Sequence, residues 1–216
     1  MLKNLLRKEL RLALHPTSFI FLLLSSMLLI PNYPYYIIFF YTCLGTFFLC
    51  LNGRENHDIY YTLLLPVRKR QLVQARILTI VLIQLAQVLL AIPFAFLRSG
   101  LIAQPNEAGM EANTALFGVA LLLLGVFNLA FFTRYYRNTD KVGVPFVWGL
   151  IAFLVVMIAA ESMTFAVPYV RDNLDTGDPT ALPVKLVILA VGAAAYCLLT
   201  LLAYRRSART FEALAF

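Results

Sequence analysis

The chain has 216 residues, 61% of them hydrophobic and 13% charged, with a net charge of +7 and a mean hydropathy of +0.80. This excludes a water-soluble core and, with 10 Gly, 10 Pro and three cysteines, a disordered, collagenous or disulfide-built chain. Most basic residues fall between apolar runs, so the positive balance reads as membrane orientation and not as nucleic-acid binding.

The first 14 residues place Leu2, Leu5, Leu6, Leu10 and Ala13 on one helical face and Lys3, Asn4, Arg7, Lys8 and Arg11 on the other. An interfacial helix lying on the inner leaflet is predicted, with Pro16 at the bend into the membrane. A basic flank that only sets topology is the plainer alternative. Pro31-Asn32-Tyr33-Pro34 offers no cleavage site and another span follows at once, so the start reads as uncleaved.

Each charge at mid-bilayer costs roughly 2.5 to 3.5 kcal/mol, and about 20 apolar residues cross the hydrocarbon. Charge-free windows lie at 12–53, 77–97, 112–133, 142–160 and 186–204. The first is long enough for two crossings and is broken at Pro31 to Pro34, which marks a helical hairpin. Six helices follow, at 16–30, 35–51, 76–97, 114–133, 145–166 and 184–204. Cys43, Cys50 and Cys197, within or beside apolar runs, read as small core hydrophobes.

Fifteen of the 18 Lys and Arg residues fall on one side of this arrangement, which assigns that side and both termini to the cytoplasm. The other side carries Arg98, Arg171 and Lys185, and its loops run near 31–34, 98–113 and 168–183. The expected fold is an all-α integral membrane protein, a single transmembrane domain over 1–216. It comprises an interfacial helix (1–14), a hairpin (16–51), a cytoplasmic segment (52–70), and four further spans with a tail (71–216). A bacterial cytoplasmic membrane is the expected location.

The segment 52–70 is polar at its start, yet Ile59 to Leu65 is too apolar for a bare loop. Gly53 can end the second span, while Glu55 and Asp58 suit the first turn of a short helix. Pro66 stops that helix, and Arg68, Lys69 and Arg70 anchor the next span at the headgroups. Such a helix can carry a push from a cytosolic partner into the membrane; a loop buried only against its own helices is the alternative.

No His-Glu-x-x-His, Gly-x-Ser-x-Gly, Cys-x-x-Cys or phosphate-binding Gly-x-x-x-x-Gly-Lys-Ser/Thr sequence occurs, and His15 and His57 are too far apart in sequence to suggest a metal site. Any ATP that drives the protein is therefore expected on another subunit. Gln84 and Gln87 share a face of the third span, and Asn128 lies in the fourth. They either hold helices together or line a pathway. Glu161, late in the fifth span, is either a substrate or gate contact, paired with Arg98, or a solvated interfacial carboxylate. Asp172, Asp175 and Asp178 could favour a cationic peptide at the exit or be merely solvated.

The chain resembles the permease subunits of bacterial ABC-2 type exporters, in particular the small permeases of peptide-antibiotic and peptide-toxin export systems. The residues that carry the resemblance are the opening Arg7-Lys8-Glu9-Leu10, the hairpin, and Tyr60-Tyr61-Thr62-Leu63-Leu64-Leu65-Pro66-Val67-Arg68-Lys69-Arg70, continuing to Arg76. The resemblance implies a permease dimer joined to two separate ATPase subunits, which hold the ATP and Mg. It also implies an N-terminal "elbow" helix over 2–14 and a coupling helix over 55–65, involving Glu55, His57, Asp58, Ile59, Tyr60, Tyr61, Leu63, Leu64 and Leu65 before Pro66. Export of a peptide or amphipathic compound is then the expected function. A non-transporting membrane scaffold, or an ion-coupled transporter resting on Glu161, are the alternatives.

Overall fold

The computed structural model describes residues 2–13, 16–101, 104–178 and 180–214, and every regular element among them is helical. The helices are α1 (Leu2–Lys8), α2 (Thr17–Leu23), α3 (Tyr36–Glu55), α4 (Asp58–Leu63), α5 (Lys69–Leu101), α6 (Thr114–Tyr135), α7 (Gly143–Ala166), α8 (Pro168–Asn173) and α9 (Leu182–Glu212). Helix α1 runs on as a π-helical turn, Glu9–Ala13, and α2 as a 3₁₀ stretch, Leu24–Leu29. Leu14, His15 and the side chain of Ala13 lie outside the described residues.

Five helices, α3, α5, α6, α7 and α9, are long and apolar enough to cross a membrane. The first predicted span is different. Its helix, Thr17–Leu29, stands at 83° to Leu2–Leu12. It is roughly 22 Å long against about 30 Å of hydrocarbon. The hydroxyls of Ser25 and Ser26 donate to the carbonyls of Leu22 and Leu23, at 2.8 and 2.9 Å, where α2 tightens into 3₁₀ geometry. Such local bonds compete with the α-helical ladder. The turn that follows puts Asn32 at φ 52°, a conformation its short polar side chain tolerates.

Charge-free windows mark the hydrocarbon rather than the helix ends, and this separates the predicted spans from the observed ones. Helix α5 begins seven residues before the predicted start at 76, and α9 continues past 204 to Glu212. Lys and Arg are good helix formers, so nothing ends the helix where the charges begin.

Helix α6 is the most enclosed span, while α7 and α9 present most of their apolar surface outward. Cys43 and Cys50 are buried as expected, but Cys197 is exposed on the outer face of α9, which corrects its reading as a core residue. Helices α6 and α9 pack through glycine. A Cβ on Gly118 would lie 2.6 Å from the Ile188 carbonyl oxygen, and one on Gly192 would overlap the Gly118 backbone. Small residues let two membrane helices approach until their backbones touch. On its other side, α6 carries the stacked rings of Phe127, Phe131 and Tyr135, with centroids 5.5 Å apart at each step.

Each of the three loops assigned to the non-cytoplasmic side, near 31–34, 98–113 and 168–183, is tied to another. Asn106 donates to the Tyr33 carbonyl at 3.0 Å, the Glu111 N–H donates to Asp175 at 2.7 Å, and Asn113 donates to the Leu174 and Thr176 carbonyls. Asn113 also caps α6 by accepting from the Leu116 N–H. At the opposite end, Arg54 donates to the Asp140 carbonyl and Lys69 to the Leu214 carbonyl, which gathers the basic connections and the end of α9 on one face.

Candidate functional site

On that basic face, four charged groups from three elements close into one cluster. Arg76, two turns inside α5, forks onto Glu9: Nε lies 2.6 Å from Oε2 and Nη2 lies 3.2 Å from Oε1. The same Nη2 also donates to Asp58 Oδ2, at the start of α4. Lys8 completes the ring, 2.9 Å from Glu9 Oε1, 2.8 Å from Asp58 Oδ1 and 3.1 Å from Thr62 Oγ. Arg76 and Glu9 are 0% and 1% exposed. Two cations face two anions, so the cluster is balanced, as buried charge must be.

Local structure explains how these side chains meet. The π-helical turn Glu9–Ala13 inserts extra backbone and shifts the register of the N-terminal helix. Glu9 follows the buried Leu5 by four residues and so shares its inward face, and Leu10 is left exposed, which departs from the expected apolar face. Leu5 is buried, Leu2 and Leu6 are half-buried, and Lys3, Arg7 and Arg11 face outward. Gly53 of α3 leaves room for the guanidinium, since a Cβ there would lie 2.8 Å from Arg76 Nη1.

The segment after α3 differs in detail from the expected helix over 55–65. Helix α3 passes through Gly53 and ends at Glu55, and the left-handed residue that turns the chain is His57, at φ 48°. Glu55 therefore closes α3, beside Arg54, instead of opening the short helix. Helix α4 covers only Asp58–Leu63, ending before Pro66. It has two faces. Ile59 and Thr62 point inward with Asp58, whereas Tyr60, Tyr61, Leu64 and Leu65 are 44, 66, 82 and 55% exposed. The Tyr60 hydroxyl lies 3.4 Å from Asp140. A cavity of about 490 Å³ opens beside α4, lined by Lys8, Leu12, Asn52, Gly53, Asn56, Asp58, Tyr61, Thr62 and Leu65. Arg68 and Arg70 are exposed at the start of α5, Arg70 lying 3.3 Å from Glu212.

The polar residues within the spans are buried and bonded between helices. Gln84 and Asn128 exchange two amide hydrogen bonds, at 2.8 and 2.9 Å. The Tyr196 hydroxyl donates to Gln84 at 2.8 Å, and Asn128 donates to Thr200 at 3.1 Å, so α5, α6 and α9 are joined at one point. Gln87 donates to Ser25 at 2.7 Å. Glu161 accepts from the Met110 N–H at 3.2 Å and does not pair with Arg98, as the sequence suggested. Arg98 instead lies 3.4 Å from Glu111, which comes from the nearer loop.

Sequence reasoning had placed Glu9 and Arg76 in a motif and on one side of the membrane, without pairing them. The available signal was a single carboxylate among the basic residues of an interfacial helix, and an arginine preceding an apolar run. Tyr196, Thr200 and Ser25 were also missed; they are hydroxyls in otherwise apolar helices, the natural partners for buried amides.

A family model described as an ABC-2 family transporter protein matches residues 4–212. No curated protein and no solved structure matches the chain. The matched region runs from the N-terminal helix to the end of α9 and includes all four members of the charged cluster, and the chain belongs to the ABC-2 family of transporters.

Proposed function

We propose that this permease exports a peptide or amphipathic compound from the bacterial cytoplasm, driven by ATP that separate ATPase subunits hydrolyse. In this reading the basic face and both termini are cytoplasmic, and α4 is the coupling helix. Two ATPase subunits, holding ATP and Mg, act on a pair of permease copies. The observation that carries the reading is the two-faced character of α4. Its outward face offers Tyr61 and Leu64 to a partner, while its inward face holds Asp58 in the buried cluster with Arg76 and Lys8.

A push on the outward face is thereby delivered to α5 and to the N-terminal helix together, because a buried ion cluster resists separation. The amides Gln84, Gln87 and Asn128 act as interhelical glue that keeps α5 registered with its neighbours while it moves. Transport is then a movement of helices, with no covalent step in this chain.

Copurification tests the coupling assignment. Tyr61→Asp with Leu64→Asp places charge on exposed positions and leaves Asp58 and Thr62 in place. The double variant should insert and fold normally but lose its ATPase subunit. An ATPase that stays bound with unchanged turnover would overturn the assignment.

A further inference from the structure

The last turns of α9 and the first turn of α5 enclose a second cavity, of about 280 Å³, lined by Arg70, Tyr204, Arg205, Ala208 and Arg209. Arg205 and Arg209 are four residues apart and so share one face of α9. Ala208, 2% exposed, forms the floor. Arg70 closes the opposite wall from the second position of α5. Glu212, 3.3 Å from Arg70, is the one carboxylate paired with these arginines among the described residues.

Two general effects account for only part of this arrangement. Cytoplasmic loops keep Lys and Arg, but that preference is met by side chains spread through solvent and does not need three guanidiniums around one cavity. A helix C-terminus favours a cation, which suits Arg209 in the last turn of α9. Arg70 is the reverse case, a cation at the positive end of a 33-residue helix. Both the mutual repulsion of the arginines and the dipole at Arg70 are relieved by an anion in the cavity.

The cavity also lies where an anion would be found. The residues just before it, Leu201 to Ala203, are apolar, and Leu201 is 56% exposed, so the apolar surface of α9 gives way to a polar ring at Tyr204 and then to charge at Arg205. This is the depth of headgroup phosphates, and Tyr is common there. We propose that this cavity binds a phosphate group, held by the forked guanidiniums of Arg205 and Arg209 of α9 with Arg70 of α5 facing them and Tyr204 in the lining. The phosphate belongs either to an anionic lipid headgroup or to a soluble phosphate. The proposal does not rest on the role given to α4.

The test uses the full chain and two double variants that remove equal charge. Arg205→Gln with Arg209→Gln empties the cavity wall; Arg137→Gln with Lys141→Gln removes two exposed cations elsewhere on the basic face. Arg205 and Arg209 are themselves exposed, so their replacement leaves the packing around Ala208 intact. In nanodiscs of mixed phosphatidylglycerol and phosphatidylcholine, native mass spectrometry counts the retained phosphatidylglycerol. In detergent without lipid, binding of inorganic phosphate is measured directly.

The cavity variant should weaken one of these by about tenfold or more, and the control should not. Selective loss of phosphatidylglycerol identifies a lipid headgroup, and selective loss of inorganic phosphate identifies a soluble source; either supports the site. Equal loss in both variants, or no binding of either probe to the unaltered chain, overturns it.

Discussion

Arg76 of α5 and Glu9 of the N-terminal helix form a two-point ion pair, with Nε 2.6 Å from Oε2, and both side chains are excluded from solvent. Removing one member of such a pair leaves an uncompensated buried charge, at a cost of about 3 to 5 kcal/mol. Replacing both by apolar residues of similar size is often close to neutral. Glu9→Leu and Arg76→Met should each lower the thermal midpoint of the purified protein sharply, and the double variant should recover most of the loss. Additive losses in the double variant would show that the two side chains do not act as a pair.

The amide pair of Gln84 and Asn128 gives a smaller effect of the same kind. Interhelical hydrogen bonds in membranes contribute roughly 0.6 to 2 kcal/mol. Gln84 makes three hydrogen bonds in the observed arrangement, since it both donates to and accepts from Asn128 and accepts from Tyr196. Gln84→Leu should therefore destabilise more than Tyr196→Phe. A thermal-shift cycle over Gln84→Leu and Asn128→Leu should show a coupling of about 1 kcal/mol. Zero coupling would mean that the two amides have other partners in the membrane.

The spans and their grouping by side were legible in the sequence because hydrocarbon excludes charge, and that exclusion is a property of composition alone. Helix ends were not legible where charged residues continue a helix beyond the membrane, as in α5 and α9. The tightening of the first element into 3₁₀ geometry over Leu24–Leu29 was not legible either. Six apolar residues before Ser25-Ser26 and four after it look like one span, and the local hydroxyl bonds accompany the tightening of the helix there.

For the candidate site, the position and outward apolar face of α4 could be read from the residues between Asp58 and Pro66. The cluster behind it could not. Its assembly pairs Glu9 with an arginine 67 positions away, and no local pattern fixes that partner.

The glycine contact between α6 and α9 predicts a steric effect. A Cβ at Gly192 overlaps the backbone of Gly118, so neither helix can yield by a change of rotamer. Gly192→Ala should force the helices apart and lower the thermal midpoint by more than Gly100→Ala or Gly143→Ala, positions with open space around them. Gly100→Ala and Gly143→Ala, at helix ends, serve as controls without a steric contact, and at Gly192, inside α9, propensity alone would favour alanine by about 1 kcal/mol, so a loss of stability there is steric. A Gly192→Ala variant as stable as these controls would place α6 and α9 further apart than observed.

Where the loops opposite the basic face meet, Asp175 accepts the Glu111 N–H at 2.7 Å. Burial pushes its carboxyl above the ordinary carboxylate range, opposed by the Glu111 N–H; the Glu111 carboxylate raises it further and Lys185 lowers it. In the pH window between the ordinary value and the raised one, the folded protein holds a proton that the unfolded chain has released. Unfolding there loses a proton, so this group's contribution to stability falls as pH rises through the window and is greatest below it. Asp175→Asn retains an oxygen to accept the Glu111 N–H but no longer titrates. The thermal midpoint of the unaltered chain, measured against that of the variant, should therefore rise as the solution is acidified from neutral. A difference that is flat with pH would show that Asp175 ionises as freely when folded as when unfolded, and one that grows with rising pH would show that folding lowers its value; either overturns the assignment.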